Sequence, residues 1–130
     1  MAKLTEEMKE FIKGKLAYVA TIGADGLPNI GPKGGFQVID DEHLGWTEAT
    51  FKNTYENVQK NEGVAIAVVE RETRKGYRFK GQAEVLTSGP VYEKIKGERV
   101  ALGRPAPKCV ICVSVDQIYN IGFPTWERLA

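Results

Sequence analysis

Apolar residues recur along this chain at two spacings. Met8, Phe11 and Ile12 follow Thr5-Glu6-Glu7 at helical spacing. A hydroxyl stands ready to cap the first turn, and acids sit where the helix dipole favours them, so a short helix is expected before Gly14. Residues 16–22 read as a strand, Ala24-Asp25-Gly26 as the turn after it, and an extended path resumes at Asn29 and Ile30. Gly31-Pro32-Lys33-Gly34-Gly35 is expected to interrupt that path before residues 36–39 continue it. Asp40-Asp41 then turns the chain into a strand over residues 44–47. Phe51, Tyr55 and Val58 return to helical spacing, which predicts a helix over residues 51–59 with those side chains inward.

Residues 64–69 form an unbroken apolar run, the pattern of a strand buried on both faces. Tyr77, Phe79, Gly81 and Ala83 alternate with Arg78, Lys80, Gln82 and Glu84, which predicts a strand with one wet face. Ser88-Gly89-Pro90 opens a third helix, with Val91, Ile95 and Val100 expected inward, and residues 109–118 form the last long strand. A tail over residues 119–130 carries Phe123, Pro124 and Trp126. Helices do not alternate with strands, which disfavours a doubly wound parallel sheet. The expected fold is a single domain over residues 1–130, mainly β with short helices: a six- to seven-stranded antiparallel split β-barrel.

Composition narrows the functions. Eighteen Lys and Arg balance seventeen Asp and Glu, leaving a net charge of +1, where a nucleic-acid binder carries a marked basic excess. The aromatic Tyr77 and Phe79 also alternate with Arg78 and Lys80, so stacking rings and charges fall on opposite strand faces. No nucleic-acid partner is expected. The apolar run at residues 64–69 falls far short of the roughly 18 residues of a membrane helix. The polar, acidic N-terminus is unlike a signal peptide, so no membrane partner and a cytoplasmic location are expected.

Cys109 and Cys112 form a C-x-x-C inside a β-branched run. Residues three apart on a strand point to opposite faces, so these thiols read as core fillers and not as a redox pair. His43 lies in an acidic turn, and Asp40, Asp41 and Glu42 are adjacent and do not alternate, so neither catalysis nor a metal site is read there.

The chemistry concentrates between Asn29 and Asn57. Glycines beside Lys33 let a ligand approach the backbone, and the strand-to-helix junction gathers Thr47, Thr50, Lys52, Asn53 and Thr54, groups suited to a phosphate. The same residues also suit a helix cap at Thr50, a solvated Lys52 and a glycine bulge. Glu48 suits a hydroxyl or a ring N–H, and Trp46 and Phe36 suit either flat ligand walls or core.

Three segments carry a resemblance: Pro28-Asn29-Ile30-Gly31-Pro32-Lys33-Gly34, Leu44-Gly45-Trp46-Thr47-Glu48-Ala49-Thr50, and Lys52-Asn53-Thr54-Tyr55-Glu56-Asn57-Val58. Together they resemble the pyridoxamine 5′-phosphate oxidase-like family of FMN-binding split barrels, in particular its small single-domain FMN-binding proteins. The resemblance implies a homodimer with FMN at the interface between the barrels. It implies a phosphate held by Thr50, Lys52, Asn53 and Thr54, and a ring along Gly31, Pro32, Lys33 and Gly34. The backbone around Trp46, Thr47 and Glu48 would line the other edge of the ring, and Trp126 is the candidate to cover part of it from a partner subunit. The tail, Trp126-Glu127-Arg128-Leu129-Ala130, lacks the basic, histidine-containing substrate motif of true pyridoxamine phosphate oxidases, so vitamin B6 oxidation is not expected.

The function expected on these grounds is an FMN flavoprotein, an oxidoreductase or electron-transfer protein with a small-molecule electron donor or acceptor. The cofactor does the redox chemistry and the chain supplies placement, which accounts for the lack of a nucleophile or acid–base pair. Lys33, if directed at the ring, would stabilise negative charge on the reduced flavin. The alternative is a non-redox module binding haem, a deazaflavin or another nucleotide-like ligand in the same groove.

Overall fold

The computed structural model describes residues 1–124 and 126–130. Thr5 caps α1 (Glu6–Ile12), its hydroxyl accepting from the Met8 N–H at 3.2 Å, and the helix buries Met8 and Ile12. Strands β1 (Ala17–Ile22), β2 (Pro28–Lys33), β3 (Gln37–Asp40) and β4 (His43–Glu48) follow through short turns. Gly26 takes a φ of 82° in the first turn, where a side chain would be strained. The remaining elements are α2 (Thr54–Lys60), β5 (Gly63–Glu70), β6 (Lys75–Leu86), α3 (Pro90–Ala101), β7 (Cys109–Asn120) and β8 (Glu127–Arg128). All strand pairs are antiparallel, in the order β2-β1-β5-β6-β7-β4-β3, with β8 added to β7. This is the mainly β, antiparallel split barrel expected from the sequence, with a short eighth strand in the tail.

Register places the core. Gly31 pairs with Val19, Val19 with Ile66, Ile66 with Phe79, and Phe79 with Ile118, giving one continuous inward row across five strands. On β4, Leu44, Trp46 and Glu48 pair with Val113, Ile111 and Cys109 and point inward as well. At a bulge between β6 and β7, Gly81 lies so close to Ser114 that a Cβ would sit 2.0 Å from the Ser114 carbonyl oxygen. The outward row runs through Pro32, Tyr18, Ala67, Arg78 and Tyr119, where the Arg78 guanidinium stacks 4.5 Å from the Tyr119 ring centroid.

Several local expectations are corrected. β2 runs straight through Gly31 and Pro32, because β2 is an edge strand and can tolerate proline. α2 begins only at Thr54, leaving Phe51 outside the helix, exposed, and packed on Tyr55 with ring centroids 4.7 Å apart. β5 buries Val64, Ile66 and Val68 but leaves Val69 exposed, so its apolar run covers one buried face and part of another surface. α3 buries Tyr92 and Ile95, while Val100 is exposed; the inward face includes Tyr92, whose hydroxyl donates to the Pro107 carbonyl at 2.9 Å.

A candidate cofactor site at the barrel seam

The seam of the barrel is where the two ends of the sheet approach each other. Among the described residues, no ladder pairs β2 with β3 or β4. The chain crosses from β2 to β3 through Gly34, Gly35 and Phe36, and Gly35 passes so near β4 that a Cβ there would lie 2.6 Å from the Thr47 hydroxyl. A cavity of about 420 Å³ opens at this seam, within the range of small-molecule sites. Gly31, Pro32, Lys33 and Gly34 line it from β2 and its end; Thr47, Glu48 and Thr50 from β4 and its end; Lys52, Asn53 and Thr54 from the start of α2.

Lys33 and Glu48 bridge the seam. The ammonium lies 3.2 Å from both carboxylate oxygens, and the two side chains are only 14% and 10% exposed. Both point inward by register, since Lys33 pairs with the buried Ala17 and Glu48 with the buried Cys109. Burial pushes the Glu48 carboxyl above the ordinary glutamate value of 4.5; the Lys33 charge and hydrogen bond, and more weakly the Trp46 indole, pull it only part of the way back. Trp46 Nε1 nevertheless closes no hydrogen bond of normal geometry.

This shift predicts a pH dependence. A carboxyl whose folded value is raised adds stability below its unfolded value of 4.5 that is lost as the pH rises through the folded value. Urea titrations at about pH 4 and about pH 7 are expected to show the natural chain losing stability relative to Glu48→Gln as the pH rises. A difference that does not change with pH would mean that burial does not govern Glu48.

The lining that follows β4 is polar and carries one cation. Lys52 forms no ion pair among the described residues, and Thr50 stands exposed beside it. Asn53 is strained at φ 47°, and its N–H donates to Glu56 Oε1 at 3.3 Å, so this carboxylate is held at the helix start. Thr54 is 2% exposed and presents little of itself to a ligand. Gly31 and Gly34 have ordinary φ, and open space lies where a Cβ would stand, so their lack of side chains leaves room for a ligand against the backbone. A ligand with an anionic end and a flat body fits these residues: Lys52 and Thr50 face the anion, and the glycines leave room for the body.

Two expected participants lie elsewhere in this chain. The Trp46 side chain is fully buried in the core with Phe36 in the same cluster, and neither ring lines the seam cavity. Trp126 is 68% exposed and does not line the cavity of its own chain. A residue not anticipated is Arg99 of α3, whose guanidinium reaches to 3.5 Å from the Thr47 hydroxyl. Fifty-two positions separate them, and no local pattern announces such a contact. Cys109 and Cys112 are buried free thiols, both pushed up to about 11 chiefly by burial, so they are protonated at neutral pH and poor nucleophiles.

Comparison with known proteins agrees with this architecture. HupZ of Group A Streptococcus superposes with a TM-score of 0.88 at 40% identity, covering 98% of this chain and 99% of that one. An uncharacterized protein of Methanocaldococcus jannaschii is 30% identical over 125 residues, 93% of this chain and 83% of its own. An FMN-binding protein of Syntrophomonas wolfei shares the fold, with a TM-score of 0.69 at 16% identity over 84% of this chain and 78% of that one. Residues 4–122 match the pyridoxamine 5′-phosphate oxidase family, and the chain belongs to that family.

Proposed function

We propose that this chain is a homodimeric flavoprotein that holds FMN in the seam cavity and exchanges electrons with a small-molecule donor or acceptor. One observation carries the reading. Of the twelve residues expected to contact the cofactor, all but Trp46 and Trp126 line a single cavity, although they come from β2, β4 and the start of α2. Lys52 and the Thr50 hydroxyl take the phosphate, and the ring lies against the backbone of Gly31–Gly34 with Lys33 and Glu48 at its edge. When bound, FMN supplies the electron-accepting ring; the chain binds and orients it.

Support for the second copy comes from the outer face of β2 and β1. Tyr18, Ile22 and Ile30 are exposed there and, with Leu27 of the connecting turn and Val69 of β5, give an apolar surface of the kind that marks an interface. Trp126 does not line the seam cavity of its own chain and is exposed, which suits it to cover the cavity of the partner.

The test is the visible spectrum of the purified chain with its mass in solution. Absorbance near about 450 nm, present on purification or gained with added FMN, and a mass about twice that of one chain are expected. A colourless protein that takes up no FMN but binds haem or a deazaflavin would overturn the assignment in favour of the other ligand.

A further inference from the structure

The Lys33–Glu48 pair has a consequence for any ring seated beside it. Taken alone, Lys33 is a positive charge at the ring end of the cavity. In the folded chain its ammonium is held evenly by both Glu48 oxygens, so that end carries two opposite charges and no net one. Among the described residues no other ion pair engages either member: Lys52 forms none, Arg99 reaches Thr47 and not Glu48, and Cys109, opposite Glu48 on β7, stays a neutral thiol. Both partners are mostly buried, where a unit charge acts over short range with far less screening than in water.

We propose that Glu48 sets the redox poise of this site by neutralising Lys33, so that an anionic ring gains from Lys33 no net electrostatic advantage over a neutral one. The inference rests on the reading of the cavity as an FMN site. Full reduction adds two electrons and one proton to a neutral ring and leaves it with one negative charge; in the test below an electrode supplies the electrons and solvent the proton. Lys33 favours that charge and Glu48 opposes it. The two residues are positioning groups for charge: Glu48 lowers the potential, and Lys33 raises it.

The experiment is a potentiometric titration of the FMN-loaded full chain and three variants. Glu48→Gln unmasks the ammonium and is expected to tighten binding of reduced over oxidised FMN at least tenfold, a rise of about 30 mV or more for a two-electron couple. Lys33→Gln leaves the carboxylate unopposed and shifts the potential the other way. The double variant Lys33→Gln, Glu48→Gln returns close to the natural value, because the charges cancel in the natural chain as well. Opposite shifts that cancel support the proposal, and a merely structural role would not produce them. Shifts of the same sign, or no shift in Glu48→Gln, overturn it. If Glu48→Gln fails to fold, Lys33→Gln and the double variant still decide the sign. Failure of the natural chain to take up FMN at all is a separate outcome, and it removes the cofactor reading on which the inference stands.

Discussion

Gly81→Ala is expected to destabilise the fold by about 3 kcal/mol, at the upper end of overpacking effects. The added Cβ would meet the Ser114 carbonyl oxygen at 2.0 Å and its carbon at 2.9 Å. Both are backbone atoms of the neighbouring strand, so no rotamer change relieves the clash. The site also lies at the irregularity where β6 and β7 change register, and those two strands carry the longest ladder of the sheet. For a chain of this size the loss corresponds to a fall in Tm of roughly 10 °C. Gly97→Ala is the control. Gly97 lies in α3, exposed, with nothing near its Cβ position and no positive φ, so alanine there should stabilise by about 0.5–1 kcal/mol. Thermal melts of the two variants read opposite signs; equal melts would mean that the β6–β7 bulge yields without cost.

Lys52→Ala is expected to weaken FMN binding by tenfold or more. One charge-assisted contact to a phosphate is worth about 1.5–3 kcal/mol, and each 1.4 kcal/mol is about a factor of ten. Lys52 is the cation of the cavity that no carboxylate occupies among the described residues, in contrast to Lys33. Lys60→Ala, in the last turn of the same helix and outside the cavity lining, should leave affinity unchanged. Fluorescence titration with FMN separates them, and the Lys52 effect should shrink as salt is raised. Equal affinity in both variants would move the anion away from the start of α2.

The elements that depend on local signals were legible in the sequence. Thr5 with its following acids marks α1, Gly26 marks the β1–β2 turn, and the alternation from Tyr77 to Glu84 marks the face of β6 that meets the core. Errors arose where tertiary context competes with local pattern. Phe51, Tyr55 and Val58 have helical spacing, yet the chain bends through Phe51 and Lys52 and enters helix only after the strained Asn53. Val100 shares the phase of Ile95 loosely, but α3 meets the sheet through Tyr92 and Ile95. β8 is two residues long and exists because β7 runs on beyond its pairing with β4, leaving Tyr119 and Asn120 to receive it.

The site was legible as a set of residue types, not as a geometry. The glycines, the lysines and the threonines announce an anion with room beside the backbone. That Lys33 and Glu48 form one neutral unit was not legible, because fifteen positions separate them and four strands stand between β2 and β4 in the sheet order. The reach of Arg99 to Thr47 was hidden for the same reason: it depends on where α3 lies, which no local pattern reports.

Strand β2 closes one border of the sheet and carries Pro28 and Pro32. Neither can donate a main-chain hydrogen bond, so this border makes a poor template for an incoming β-strand from another molecule. Association with a like molecule is thereby steered away from continuous sheet extension and toward stacking of broad surfaces, and the same two imino acids guard the exposed margin against fibril-like growth.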